Sequence, residues 1–141
     1  MALEAALSSS FCAERLNTTA KERIDKIILQ KQEAIDSFSV NPKKSINLMT
    51  QVITDLEYDV NNYEVLIEMY FRTNDYKNVV TLYNKLNELE LTNLNATIIE
   101  FISISYLNLN ENVIGCNLAQ TLNSYGYRLS ASLALACSIA Q

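Results

Sequence analysis

The chain repeats one pattern at an offset of 36 residues: YFRTNDYKNVVTLYNKL at residues 70–86 and YLNLNENVIGCNLAQTL at residues 106–122. In each copy an aromatic residue ends one helical stretch, a turn with Asn and an acidic residue follows, and a second stretch has apolar residues at helical spacing. Periods of this length are typical of stacked helix-pair repeats. Such repeats build binding surfaces far more often than catalytic sites, so the pattern predicts a protein that holds another chain.

The composition favours one helix-rich domain. The chain has 141 residues, of which 49% are hydrophobic, and this is enough to bury a core. It has only two glycines and one proline, whereas a fold with many tight turns needs more of both. We therefore expect an all-α domain at residues 19–141, preceded by an N-terminal arm or short helix at residues 1–18.

Apolar periodicity predicts three helical hairpins, at about residues 20–57, 60–90 and 94–124, and a terminal helix at 129–140. The first hairpin has two start signals: Thr19-Ala-Lys-Glu22 has the spacing of a capping box, and Asn41-Pro42 places a cap before a proline at the first helical position. Residues 97–105 are rich in β-branched side chains, so a strand is the alternative there. We expect a helix because the matching segment of the preceding repeat is helical.

The segment from Leu129 to Gln141 is apolar on nearly every side, which is typical of a helix that is buried all round. Three explanations stay open. The segment caps the stack, it belongs to a longer repeat protein, or it docks into a partner or a second copy through Leu133, Leu135 and Ile139.

Charge and residue types argue against catalysis and nucleic-acid binding. The net charge is −5, with 11 basic and 16 acidic residues, whereas phosphate binding depends on Lys and Arg. The absence of histidine removes the usual general base and the commonest zinc ligand. The two glycines are isolated, so no phosphate-binding loop is present. We predict no enzyme activity, no catalytic residues, no metal site and no cofactor.

The cysteines and the hydropathy favour a cytoplasmic protein. Cys12, Cys116 and Cys137 are far apart and form no CxxC motif. We expect buried, reduced thiols, with a disulfide or a reactive thiol as the alternative. The longest apolar runs are too short for a membrane span, and the first residues lack the basic region of a signal peptide.

The segment at residues 60–127 resembles a degenerate tetratricopeptide repeat, and residues 20–57 resemble one more loosely. The matching positions are Tyr63, Leu66, Tyr70, Asn74, Asp75 and Tyr83 in one unit, and Ser103, Tyr106 and Gly115 in the next. The resemblance implies a right-handed helical-hairpin repeat, an α-solenoid. Ile67 and Val79 stand where the family has small residues, so we expect that hairpin to be slightly splayed. An ordinary α-bundle is the alternative.

By this resemblance, the first helix of each pair lines a concave surface that binds a partner. The positions carried over from the family are Asn61, Glu64, Glu68, Phe71, Thr97, Glu100, Ile104 and Leu107. Acidic residues beside apolar ones suit a peptide or helix with basic and apolar residues. The alternative is that Phe71, Ile104 and Leu107 pack within the chain.

The function that these features favour is non-catalytic protein binding, as an adaptor, a chaperone or an assembly subunit. Residues 62–70 also resemble a pentatricopeptide repeat, a family that binds single-stranded RNA. The small size, the acidic balance and the run Asp55-Leu-Glu-Tyr-Asp59 are similar to type III secretion chaperones. An obligate structural subunit, docked through the terminal helix, is a further alternative.

Overall fold

The computed structural model describes the backbone of residues 2–141 and the side chains of residues 19–141. This part of the chain contains helices and no strand, which confirms the all-α prediction and excludes a strand at residues 97–105. The helices are α1 (Ala2–Ser37), α2 (Pro42–Asp55), α3 (Val60–Arg72), α4 (Tyr76–Glu88), α5 (Ala96–Asn108), α6 (Asn112–Ser124) and α7 (Ala131–Ala136).

Two helical hairpins have the same dimensions. Helices α3 and α5 have 13 residues each and begin at positions 60 and 96, and α4 and α6 have 13 residues each and begin at positions 76 and 112. The turns also correspond, because Asn74 and Asn110 have left-handed φ angles of 60° and 62°. Asparagine tolerates this conformation better than most residues, which explains why both first helices end there.

Of the two predicted start signals, the one before α2 begins a helix and the one at Thr19 does not. The Asn41 side chain accepts a hydrogen bond from the Lys44 amide at 3.2 Å, and Pro42 is the first residue of α2. Helix α1, in contrast, passes through Thr19 and Glu22 without a break. A capping box starts a helix only where the preceding residue leaves helical geometry, and the backbone before Thr19 stays helical.

Each helix from α1 to α5 packs against the next one, and α3 also packs against α5. The buried apolar side chains form two clusters. The larger cluster is contributed by α1 to α5 and includes Met49, Tyr63, Ile67 and Leu86. The smaller cluster joins α6 to the segment that follows it. Most of the core therefore lies between helices that are neighbours in sequence.

The two equivalent hairpins differ in how closely their helices approach. A Cβ atom at Gly115 would lie 2.9 Å from the Ser103 carbonyl oxygen, so α5 and α6 are nearly in backbone contact. Ile67 and Val79 occupy the same positions between α3 and α4 and are fully buried. The contact between α3 and α4 is less extensive than that between α5 and α6. This difference agrees with the expected splay, since larger side chains hold helices apart.

The last helix is shorter than the sequence predicts. Helix α7 covers only Ala131–Ala136, and Ser138 has a left-handed φ of 53°. The Ile139 amide donates to the Ala134 carbonyl at 2.8 Å, a pattern that ends a helix. Apolar spacing could not reveal this stop, because serine is a weak signal for the left-handed conformation.

Cys116 and Cys137 form a disulfide, with Cα atoms 5.3 Å apart. The expectation of reduced thiols is therefore wrong for these two residues, and the side chain of Cys12 lies outside the described residues. The bond joins α6 to the residue that follows α7, and the two cysteines are 21 positions apart in sequence. Disulfides persist mainly in oxidising compartments, so the cysteines no longer support a cytoplasmic location.

Candidate groove between the first helices

A groove in two adjoining parts runs along α3, between α1 on one side and α5 on the other. The first part has a volume of about 220 Å³ and is lined by Ile35, Phe38, Val65, Glu68, Met69 and Arg72. The second part has a volume of about 290 Å³ and is lined by Asn61, Glu64, Val65, Glu68, Asn95, Thr97, Ile98 and Phe101. Val65 and Glu68 belong to both parts, so the two form one continuous surface.

The wall from α1 is held in register with α3. The Lys31 Nζ atom donates a hydrogen bond to Asn61 Oδ1 at 2.7 Å. One turn further along α1, Ile35 faces the groove together with Val65 of α3. The two helices therefore run in the same direction, and corresponding positions along them differ by about 30 residues.

The two parts of the groove differ in chemistry. In the first part the polar residues are Glu68 and Arg72, and these form an ion pair with a shortest N–O distance of 2.7 Å. The second part adds the side chains of Asn61, Asn95 and Thr97. The groove thus has an apolar end against α1 and a polar end against α5.

One carboxylate in the groove has no cationic partner. Glu64 Oε2 accepts a hydrogen bond from the Asn95 amide at 2.7 Å, and Oε1 accepts one from Asn61 Nδ2 at 3.5 Å. Among the side chains that the structure describes, Glu64 forms no ion pair. Its charge therefore remains available to a cation that enters the groove.

Aromatic rings support the wall between α3 and α5. The rings of Phe71 and Phe101 stack with centroids 4.2 Å apart and planes at 11°. Tyr76 meets the Phe71 ring edge-on, with centroids 6.0 Å apart. Phe101 is a groove residue, and Phe71 is not. The stack holds the groove face of Phe101 in a defined orientation.

The structure brings half of the predicted groove residues together. Asn61, Glu64, Glu68 and Thr97 line the groove, and Phe71 contacts it through Phe101. The sequence reasoning missed Val65 and Phe101, which occupy equivalent positions 36 residues apart in their helices. Both lie four residues after a predicted groove residue, so extending the same helix face by one turn would have found them.

Glu100, Ile104 and Leu107 do not line the groove. Glu100 is only 8% exposed, and its carboxylate accepts hydrogen bonds from the Tyr127 hydroxyl at 2.9 Å and the Ser130 amide at 2.8 Å. Ile104 and Leu107 pack against the smaller core cluster. The chain itself therefore uses these three residues to hold the segment that follows α6. The alternative of internal packing anticipated this for Ile104 and Leu107.

The predicted docking residues of the last segment have three different environments. Leu133 is buried in the core of its own chain, and Ile139 is partly buried against the same cluster. Leu135 is 82% exposed. A helix that is apolar on every side was expected to be covered on every side, but the short α7 packs only one face on α6 and α5.

The described residues hold no group of three or more His, Cys, Asp or Glu side chains that could bind a metal ion. None of the described helices combines the length and the apolar character that a bilayer crossing requires.

Burial raises the pKa of Tyr63 and of Tyr106 above the ordinary tyrosine value, but neither residue lines the groove. The groove offers shape, apolar surface and one unpaired charge, which are the requirements for binding.

The chain matches no known protein family, no curated protein and no solved structure.

Proposed function

We propose that the chain is a right-handed stack of helical hairpins of the tetratricopeptide kind, and that it binds a segment of another protein in the groove along α3. The equal lengths and the offset of 36 residues between the two central hairpins support the stack. In this arrangement α1, α3 and α5 are the first helices of successive pairs, and they share the binding face. The protein acts without catalysis, as an adaptor, a chaperone or an assembly subunit.

The observation that carries the proposal is the unpaired carboxylate of Glu64 beside an apolar surface. Glu68 is already neutralised by Arg72, so Glu64 supplies the attraction for a basic side chain. The aliphatic and aromatic side chains next to it would be covered by apolar residues of the same partner. A partner segment with basic and apolar residues satisfies both requirements, and the net charge of −5 increases its rate of encounter.

A peptide-display selection tests this function. Random peptides are selected on the wild-type protein and on a Glu64→Lys variant, and a Glu33→Lys variant is the matched control. Glu33 is an exposed carboxylate paired with Lys44 on α1 and α2 and does not line the groove. We expect enrichment of peptides with Lys or Arg beside Leu, Ile or Phe on the wild type and on Glu33→Lys, and loss of these peptides on Glu64→Lys.

Two outcomes would contradict the proposal. One is peptide enrichment that Glu64→Lys leaves unchanged, because the binding surface would then lie elsewhere. The other is micromolar binding of single-stranded RNA that strengthens steeply as the salt concentration falls, which would favour an RNA-binding repeat.

A further inference from the structure

A line of exposed apolar residues continues the apolar end of the groove along α1. Ile24, Ile28 and Ile35 are 46%, 55% and 43% exposed. On a helix these positions lie within about 40° of one another. Ile35 is a groove residue, and Lys31, which bonds to Asn61 of α3, lies on the same face. The three isoleucines therefore form one α1 stripe that leads out of the groove.

The length of the α1 stripe defines the size of the surface. Ile35 follows Ile24 by eleven positions, which corresponds to about 16 Å along the helix axis. Helix α3 begins at Val60, close to the level of Lys31, so the first part of the stripe extends past the start of α3. An occupant of the groove that follows the stripe would contact about three turns of α1.

The backbone requirements of an occupant decide its conformation. An extended segment presents unpaired amide and carbonyl groups, and these need hydrogen-bond partners when they are buried. The apolar end of the groove has only Glu68 and Arg72 as polar side chains, and these bind each other. The described chain has no strand edge that could pair with an extended segment. A helix satisfies its own backbone and needs only an apolar face.

We propose that the occupant is a basic amphipathic helix of about three to four turns, which packs its apolar face on the α1 stripe and the apolar end of the groove and directs a Lys or Arg to Glu64. This inference rests on the proposed function, since it names the class of segment that the groove binds. Helix-in-groove recognition uses apolar anchors that recur every three or four residues on one helix face. The stripe offers a matching surface, with isoleucines at i, i+4 and i+11 and Lys31 at i+7.

The test compares two peptide-display libraries of equal composition and net positive charge. One library has apolar residues at helical spacing over about four turns, and the other has them at alternating positions, which suits an extended segment. Both are selected on the wild type, on Ile28→Asp and on Leu29→Asp. Leu29 is the matched control, because it is 71% exposed and adjacent in sequence but about 100° away around the helix. Circular dichroism verifies that both variants fold.

We expect enrichment from the helical library on the wild type and on Leu29→Asp, and an affinity at least about tenfold weaker on Ile28→Asp. Enrichment from the alternating library alone, or equal binding to Ile28→Asp and Leu29→Asp, would overturn the helical occupant while leaving the groove as a binding site. Enrichment from neither library would overturn the proposed function together with this inference.

Discussion

At the scale of the residue, two glutamates in equivalent helices have different environments. Glu64 faces the groove with no cationic partner among the described side chains, whereas Glu100, at the equivalent place in α5, is buried under the segment that precedes α7. The two residues are 36 positions apart, so they occupy equivalent positions in α3 and α5. A buried carboxylate with two hydrogen-bond donors is a structural group, so sequence equivalence does not imply equal function.

Glu100→Ala should lower the free energy of unfolding by about 1–3 kcal/mol, because the Tyr127 hydroxyl and the Ser130 amide would lose their acceptor. Glu33→Ala is the control. Its ion pair with Lys44 is more than half exposed, and we expect a change of about 0–1 kcal/mol. Urea unfolding of both variants measures the difference, and equal changes would refute the structural role of Glu100.

Gly115→Ala should lower stability by about 1 kcal/mol or more, because the new Cβ would lie 2.9 Å from the Ser103 carbonyl oxygen. Replacing glycine by alanine inside a helix otherwise adds about 1 kcal/mol of stability. Asn117→Ala, at an exposed position of the same helix, should be neutral or stabilising. A thermal melt that shows Gly115→Ala to be more stable than the wild type would disprove the close approach.

At the scale of the element, α7 is too short to be stable by itself. It has 6 residues, and an isolated helix of this length does not form in water. Leu133 anchors it in the smaller core cluster, and the disulfide and the Gln141 side chain secure the residues around it. Gln141 Nε2 donates to the Leu129 carbonyl at 3.1 Å, and Gln141 Oε1 accepts from the Leu129 amide at 2.8 Å.

Reduction of the Cys116–Cys137 disulfide should lower the free energy of unfolding by about 3 kcal/mol, the loop-closure value for a ring of this size. Hydrogen exchange should speed up first in residues 127–141, because this segment has few other buried contacts. Cys116→Ser with Cys137→Ser should reproduce the effect of a reducing agent. Unchanged hydrogen exchange after reduction would refute the role of the disulfide in holding this segment. Alkylation of both thiols without prior reduction would show that the disulfide is not formed.

At the scale of the whole molecule, stability at alkaline pH depends on two tyrosines. Burial raises the pKa of Tyr63, with a further contribution from the Glu57 carboxylate. Burial also raises the pKa of Tyr106, with a contribution from Tyr83. The folded chain therefore keeps its phenol protons at pH values where the unfolded chain loses them. Stability is fully present below about pH 10 and falls as the pH rises towards the folded pKa values.

Tyr63→Phe should reduce this alkaline loss of stability. The Tyr63 hydroxyl is buried and has no hydrogen-bond partner among the described residues, so its removal should be neutral or stabilising at pH 7 as well. Tyr106→Phe is the comparison, because it also removes a weak hydrogen bond to Asn84 Oδ1 at 3.4 Å. Urea unfolding at pH 8 to 11 measures the effect, because this range spans the ordinary tyrosine pKa of about 10. If the wild type and Tyr63→Phe lost stability in parallel over this range, Tyr63 would not cause the alkaline loss.

Local signals in the sequence predicted α2 to α6 and their order, but not the continuous α1 or the short α7. Apolar spacing and residues such as Asn41, Asn74 and Asn110 act over a few positions, so their effect can be predicted without a tertiary structure. Part of the groove was predictable for the same reason, since Asn61, Glu64 and Glu68 lie on one face of a single helix.

Contacts between distant segments could not be predicted from local signals. The tertiary structure paired Cys116 with Cys137, placed Glu100 under Tyr127 and Ser130, and supplied Ile35 of α1 and the following Phe38 as a wall of the groove. None of these contacts leaves a periodic signal, because each depends on the distance and angle at which separate helices pack. The size of the side chains between two packed helices sets the angle between them. Its effect on the position of a helix adds up over successive helices.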